Sequence, residues 1–187
     1  MRDDDDPTLM ACPDNYYCSD RVVFVNYPSS DSKDGGSLCR FGSTCTNGIM
    51  TSCPSGTYNL SDGGDVCHPC PGGFHCMTKT FNLENFVCAK GVYCPEGTKN
   101  EQATGIQSID CPEGFVCPLG SHEPIVCPAG KIPDLTKTIC EPCPAGYYCT
   151  PTRSAANFAI LCPAGAKCVG QGNTHPSICP PGTYQPS

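Results

Sequence analysis

Thiols and imidazoles are the residues of this 187-residue chain whose spacing could do chemistry. Cys67-x2-Cys70 and Cys140-x2-Cys143 have the spacing of half a zinc site or of a dithiol redox pair. A zinc site needs four ligands that converge tetrahedrally, and each motif is followed instead by Cys-x5-Cys. His68 and His75 could add nitrogen beside the first motif, but Glu141 and Tyr148 stand in the matching places of the second. No βαβ pattern surrounds either pair, which argues against thioredoxin-like chemistry. The four histidines, His68, His75, His122 and His175, form no arrangement with a nucleophile that would make a catalytic triad. Asp3 to Asp6 lack the alternating loop spacing of a calcium site and read as a solvated acidic run. No catalytic residue, metal ligand or cofactor is therefore expected. What remains is disulfide formation.

The elements that would position those sulfurs are unusual. The chain holds 19 Cys, 20 Gly and 20 Pro, and its Leu, Ile, Val and Phe together number only 31, with no Trp. Cysteine above about 8–10% marks a disulfide scaffold, and so few large aliphatic residues cannot form one large core. Thiols at this density point to an oxidising, extracellular compartment. The start shows no secretory signal, and the longest apolar run, Phe158 to Cys162, is far shorter than a membrane span. The net charge is −7, and the eleven Lys and Arg are scattered, so nucleic acid finds no basic stripe.

Repeats organise the chain. Seven pairs have Cys-x5-Cys spacing: Cys12/Cys18, Cys39/Cys45, Cys70/Cys76, Cys88/Cys94, Cys111/Cys117, Cys143/Cys149 and Cys162/Cys168. Cys53 and Cys67 precede the Cys70 pair, Cys127 and Cys140 precede the Cys143 pair, and Cys179 stands alone. A longer period lies above this: Cys39, Cys53, Cys67 and Cys76 recur at Cys111, Cys127, Cys140 and Cys149, offset by 72 to 74 positions. The expected organisation is an acidic segment over 1–11, cysteine-rich superunits over 12–76 and 88–149, and an incomplete one over 162–187. The break within the last superunit reads as the cut end of a longer array.

Cys-Pro-x-Gly opens at Cys53, Cys70, Cys94, Cys111, Cys117, Cys127, Cys143, Cys162 and Cys179. Six extended residues would span ~20 Å, whereas bridged Cα atoms lie about 4.4–6.8 Å apart, so each loop must reverse. The spelling predicts type I turns with Pro second and Gly fourth. Aromatics that follow (Tyr58, Phe74, Tyr93, Phe115, Tyr147, Tyr148 and Tyr184) are expected to stack on cystines and prolines and supply the apolar core. Aliphatics before the cysteines (Val66, Val87, Ile109, Val126, Ile139, Leu161 and Ile178) read as short strands. Two pairings are open. One bridges the seven local pairs plus Cys53–Cys67 and Cys127–Cys140 and leaves Cys179 over; the other crosses Cys53–Cys70 with Cys67–Cys76.

Cys67-His-Pro-Cys70-Pro-Gly-Gly-Phe-His-Cys76 and Cys140-Glu-Pro-Cys143-Pro-Ala-Gly-Tyr-Tyr-Cys149, each after a Cys-Pro-x-Gly run, resemble the ephrin-receptor-like cysteine-rich repeat. More distantly they look like the modules of tumour-necrosis-factor-receptor ectodomains. The resemblance spans Cys12 to Tyr184, although inserted short loops such as Cys88 to Cys94 depart from the simplest repeat. It implies a secreted or membrane-anchored, extended, non-enzymatic protein, with long arrays typical of protist surface proteins, and carries over no catalytic residue.

The expected fold is therefore small and disulfide-rich, an extended tandem array of cystine modules with short β-strands and loops and little or no helix. The expected function is structural: a subunit or stalk of an extracellular filament, a flagellar hair (mastigoneme) or a cell-surface coat, assembling with copies of itself or sister subunits. A ligand-binding receptor or adhesion ectodomain is the alternative. Val22, Val23, Phe24 and Val25 are the candidate assembly surface. Asn59-Leu60-Ser61 is the only N-glycosylation sequon and lies in a loop where exposure is expected. Ser29, Ser30, Thr150 and Thr152, beside prolines, are candidate O-linked sites.

Overall fold

The computed structural model describes residues 12, 14–18, 36–99, 108–150 and 159–183. The acidic residues Asp3 to Asp6, the candidate surface Val22, Val23, Phe24 and Val25, and Ser29, Ser30, Thr152 and Tyr184 lie outside them.

Eight antiparallel two-stranded sheets carry the described chain. They are β1 (Tyr16–Cys18) with β2 (Gly36–Leu38), β3 (Ser43–Thr46) with β4 (Ile49–Ser52), and β5 (Thr57–Tyr58) with β6 (His68–Pro69). Next come β7 (Val92–Tyr93) with β8 (Ile109–Asp110), β9 (Phe115–Val116) with β10 (Ile125–Val126), and β11 (Lys131–Pro133) with β12 (Cys140–Pro142). β13 (Tyr147–Tyr148) with β14 (Ile160–Leu161) and β15 (Ala166–Lys167) with β16 (Ser177–Ile178) complete the set. One 3-10 turn, Glu84–Phe86, is the only helical element among the described residues. The fold is a small, disulfide-rich tandem array of cystine modules.

Nine disulfides join Cys12–Cys18, Cys39–Cys45, Cys53–Cys67, Cys70–Cys76, Cys88–Cys94, Cys111–Cys117, Cys127–Cys140, Cys143–Cys149 and Cys162–Cys168. Their Cα atoms are 5.6 to 6.2 Å apart, within the range a bridge requires. The crossed pairing does not occur. Cys179 is half-buried and unbridged.

Each reversal differs from the turn expected. In Cys53-Pro54-Ser55-Gly56 the Thr57 N–H donates to the Pro54 carbonyl at 3.1 Å, so the turn begins at Pro54 and Gly56 is its third residue. Gly56 has φ +87°, which matches the third position of a type II turn, where glycine avoids the Cβ clash of the left-handed region. The same positive φ recurs three residues after Cys12, Cys39 and Cys88, where Asn15 (φ +69°), Gly42 and Gly91 stand although the Cys-Pro-x-Gly spelling is incomplete. Asn15 is a natural substitute, because asparagine tolerates this region better than other side chains. β3 and β4 are joined by Asn47-Gly48, both at positive φ, the preferred pair for a two-residue hairpin.

The interior consists of sulfur and small polar groups. Among the described residues, fourteen half-cystines and Val116 are the buried hydrophobic side chains, together with Ser43, Asn59, Thr80, Thr98 and Ser121. The described aromatic residues expected to form the core, Tyr58, Phe74, Tyr93, Phe115, Tyr147 and Tyr148, are only half-buried or exposed. Of the aliphatics before cysteines, Ile109, Val126, Leu161 and Ile178 do lie in strands, whereas Val66 and Ile139 do not. Two-residue strands are too short to bury a second layer, so the cystine takes the inside place and the aliphatic residue stays out.

Contacts divide the chain into two compact units, residues 1–86 with 96–107, and residues 87–95 with 108–187. The second unit holds the 162–187 superunit and the 88–149 superunit except for residues 96–107, which fall in the first. The Cys162 N–H donates to Gly146 O at 2.9 Å and the Gly146 N–H to Cys168 O at 3.1 Å, so the backbone is knitted across that step.

Candidate functional site

The repeated structural site is the cystine turn, which fastens its own backbone to the next module. At Cys53 the N–H donates to Gly42 O at 2.8 Å, while the Cys53 carbonyl accepts from Lys79 N–H at 2.9 Å. The turn glycine, Gly56, donates to Cys76 O and accepts from Cys70 N–H, both at 2.8 Å. The second unit repeats the set: the Cys143 N–H donates to Gly130 O at 2.7 Å, Gly172 N–H to Cys143 O at 2.8 Å, and Gly146 N–H to Cys168 O. The backbone groups around these cystines are thus paired, and the hydrogen bonds offset the cost of burying the polar chain.

Small polar residues four positions after a cysteine, not foreseen from the cysteine spacing, also belong to the interior. Thr80, Thr98 and Ser121 follow Cys76, Cys94 and Cys117 in this way, and all three are buried. Thr80 Oγ1 donates to Met77 O at 2.9 Å and Ser121 Oγ to Pro118 O at 2.8 Å. The carbonyls of Thr98 and Ser121 serve a neighbouring cystine, accepting from Cys76 N–H and Cys94 N–H at 2.9 Å, while the Thr80 carbonyl accepts from Asn59 N–H at 3.3 Å. Thr57 and Thr183 make the same hydroxyl bond to Pro54 and Pro180 at 2.7 Å. The readable signal was Cys-x3-Thr/Ser.

The exposure expected of Asn59 is corrected by the structure. It is 3% exposed, and its Nδ2, the atom a glycan would need, donates to Ser43 O at 2.9 Å. Its Oδ1 accepts from Ser61 N–H at 3.0 Å. A Cβ on Gly64 would collide with the Asn59 amide, so the chain closes tightly over it. The side chain fills the place of a strand partner, which a loop reading could not foresee. Asn59→Ala is expected to cost about 1–3 kcal/mol in urea unfolding, because a buried carbonyl loses its donor. Ser61→Ala, which deletes the sequon but keeps Asn59, should leave both stability and intact mass free of any glycan-sized change. A deglycosylase-sensitive mass on the folded protein would refute this placement.

The β11–β12 loop is held by one carboxylate. Asp134 accepts from the Ile139 N–H at 3.0 Å, the Thr138 N–H at 2.7 Å and the Thr136 N–H at 3.2 Å, and from the Thr136 hydroxyl. These bonds, Ile139 first and the Thr136 hydroxyl next, hold its pKa well below the ordinary 3.8. A depressed carboxylate contributes stability that is fully present above 3.8 and is lost progressively as the pH falls from there through the lowered value. The folded group itself stays ionised down to that lowered value. The amide resonances of Thr136, Thr138 and Ile139 should therefore stay fixed from neutral pH down through 3.8. A midpoint at or above that value would contradict the geometry.

Beside this loop lies a groove of about 330 Å³ lined by Glu113, Ile132, Pro133, Asp134, Leu135 and Lys137. Lys137 Nζ is 2.8 Å from Glu113 Oε1 and donates to Cys111 O at 3.0 Å. Its charges are thus engaged with one another rather than aimed at a reacting group.

The histidines are dispersed. His68 lies in β6, its ring 5.9 Å from Tyr58; His75 meets Phe86 edge-on at 5.5 Å. His122 approaches Glu123 at 3.7 Å, and His175 shares a hydrogen bond with Thr174 Oγ1 at 2.9 Å. The sulfurs of Cys67, Cys70, Cys140 and Cys143, which a zinc site would require, each belong to a disulfide. Among the described residues no group of three or more His, Cys, Asp or Glu could hold a metal ion, and no helix is long and apolar enough to cross a membrane. No protein-family model matches the chain, and no curated protein matches it.

Proposed function

We propose that the chain is a structural subunit or stalk of an extracellular filament, flagellar hair or cell-surface coat, built from ephrin-receptor-like cysteine-rich repeats and without enzymatic activity. Nine disulfides point to an extracellular or secreted protein. The observation that carries the structural reading is the interior itself. Each module is stapled by its own cystines and bonded through its turns only to its neighbours, so stability is local and an array can lengthen without needing a larger core. Such a design favours reach and toughness over a single shaped pocket. Immunogold labelling of intact cells and fractionation of the surface test it. The protein should sit along filaments or a coat and leave that fraction only under denaturing or reducing conditions. Recovery as a freely soluble ectodomain that saturably binds one ligand would overturn it.

The receptor alternative draws on one observation. The Leu135 groove gathers side chains of the β11–β12 hairpin with Glu113 and Ala159, and a ligand face is expected to be local in that way.

A further inference from the structure

Asn47 is the one asparagine in the chain followed by glycine. A bond from the next main-chain nitrogen to an asparagine Cγ closes a five-membered ring, and a Cβ on the next residue normally crowds that approach. Gly48 has none. Every other asparagine precedes a residue with a side chain. Several also have their amides engaged: Asn59 Nδ2 donates to Ser43 O, Asn82 Oδ1 accepts from Glu84 N–H, and Asn173 Nδ2 donates to Tyr147 O. Asn47 is exposed at the tip of the β3–β4 hairpin, and among the described residues neither its side chain nor the Gly48 N–H has a hydrogen-bond partner. All four residues of β4 are exposed, and a two-stranded sheet without a covering layer opens locally. Opening allows the rotation about the Asn47 Cα–C bond that brings Gly48 N to Cγ.

We infer that Asn47 is a modification site, which deamidates spontaneously to isoaspartate and thereby releases the Cys12–Cys18 module from the β3–β4 hairpin. Gly48 N gives up its proton to solvent base and bonds to Asn47 Cγ. The Cγ–Nδ2 bond breaks, and Nδ2 leaves as ammonia. Water then opens the cyclic imide. Attack at Cγ yields aspartate; attack at the Asn47 main-chain carbonyl yields isoaspartate, in which the chain runs through Cβ and Cγ. Water is the sole co-reactant, and no electrons are exchanged.

The added main-chain atom falls where the structure is least able to take it. Gly48 is buried, and its carbonyl accepts from the Cys18 N–H at 3.1 Å. A Cβ on Gly48 would lie 2.9 Å from Cys12 Cβ and 3.0 Å from Cys12 Sγ, so its backbone is seated against the first cystine. A two-residue turn sets the register in which Thr46 faces Ile49. Lengthening that turn strains both the strand pair and the Gly48–Cys18 bond. The strand pair continues through Cys45–Met50 and is stapled by Cys39–Cys45, so the single bond to Cys18 is the one that gives. The change loosens one module from the next while every disulfide stays closed.

The test is peptide mapping of the full oxidised chain after warm incubation at neutral and at mildly alkaline pH. Electron-transfer fragmentation distinguishes isoaspartate from aspartate at each position. Asn47 should convert at least about tenfold faster than any other asparagine, since only its ring closure meets no Cβ, and faster still at the higher pH. The isoaspartate fraction is then separated with its disulfides intact. Its Cys18 amide should exchange at least about tenfold faster than in fresh protein, as expected for a lost hydrogen bond. N47D carries the new charge without the extra main-chain atom, and aspartate tolerates the left-handed region; it should keep the exchange of fresh protein at Cys18. Conversion of Asn47 no faster than that of Asn15 or Asn173 overturns the site. Unchanged protection of Cys18 in the isoaspartate fraction, or equal loss in N47D, overturns the release by a lengthened turn.

Discussion

Replacing Cys70 and Cys76 together by alanine should cost about 2–5 kcal/mol and melt one module rather than the chain. Chain entropy alone assigns about 2–3 kcal/mol to so short a loop. Both half-cystines are fully buried, so the cavity left by the sulfurs adds to that loss. Only a few tens of apolar side chains are available to compensate, and a chain of this size is stabilised by about 5–15 kcal/mol in all. The loss should be local because the hydrogen bonds are local. The Cys70 carbonyl accepts from Gly97 N–H at 2.8 Å, and the Cys76 N–H donates to Thr98 O at 2.9 Å. Hydrogen exchange should therefore accelerate at Gly56, Cys76 and Gly97, while the amides of the β1–β2 and β3–β4 hairpins keep their protection. Uniform loss of protection throughout the first unit would mean that the modules fold as one body. C12A/C18A is the useful comparison, since Cys12 is only half-buried and its cavity cost should be smaller.

The cysteine ladder was legible in advance because a disulfide constrains spacing more than chemistry. Six-residue loops recur through the chain, and a bridge between close neighbours needs no knowledge of the rest of the fold. Turn identity was harder. Counting from cysteine put Pro54 second and Gly56 fourth, but the carbonyl that accepts the turn bond belongs to Pro54. The count therefore starts one residue later, and the need is for a left-handed glycine rather than a fixed proline φ. That is also why Cys39-Arg40-Phe41-Gly42 and Cys88-Ala89-Lys90-Gly91 reverse without proline.

The buried polar set was not legible because its residues look like loop filler. Thr80, Thr98 and Ser121 are buried since each folds its hydroxyl or carbonyl onto a backbone that would otherwise lack a partner. Asn59 misled for the same reason: a sequon in a polar loop reads as surface, yet its amide replaces a strand bond. Aromatic rings misled in the opposite direction. With cystines already filling the space between turns, Tyr147 is 36% exposed and its strand neighbour Leu161 more so. The aliphatic content missing from the core was outside it.

A matched pair of glycines separates two contributions to the turn. Gly130 and Gly146 hold the same place after Cys127 and Cys143, with φ +77° and +83°. Each donates its N–H to a following cysteine carbonyl, Cys149 or Cys168, and accepts from the next turn cysteine, Cys143 or Cys162. They differ in what a side chain would meet. A Cβ on Gly146 finds nothing within 4 Å, whereas one on Gly130 would lie 2.5 Å from Gly172 O and 3.3 Å from Thr174 Cγ2. Gly146→Ala should lose about 1–2 kcal/mol, the cost of holding an L residue in the left-handed region. Gly130→Ala adds displacement of a backbone segment that cannot swing aside, because Gly172 is fixed by its bond to Cys143 O; that should add about 1–3 kcal/mol. Urea unfolding with the disulfides intact measures both. Equal losses would mean that Gly130 is required by its φ alone and that the close approach of Gly172 relaxes freely. A larger loss at Gly130 would mean that the successive turns are packed against one another at backbone distance, which only glycine permits.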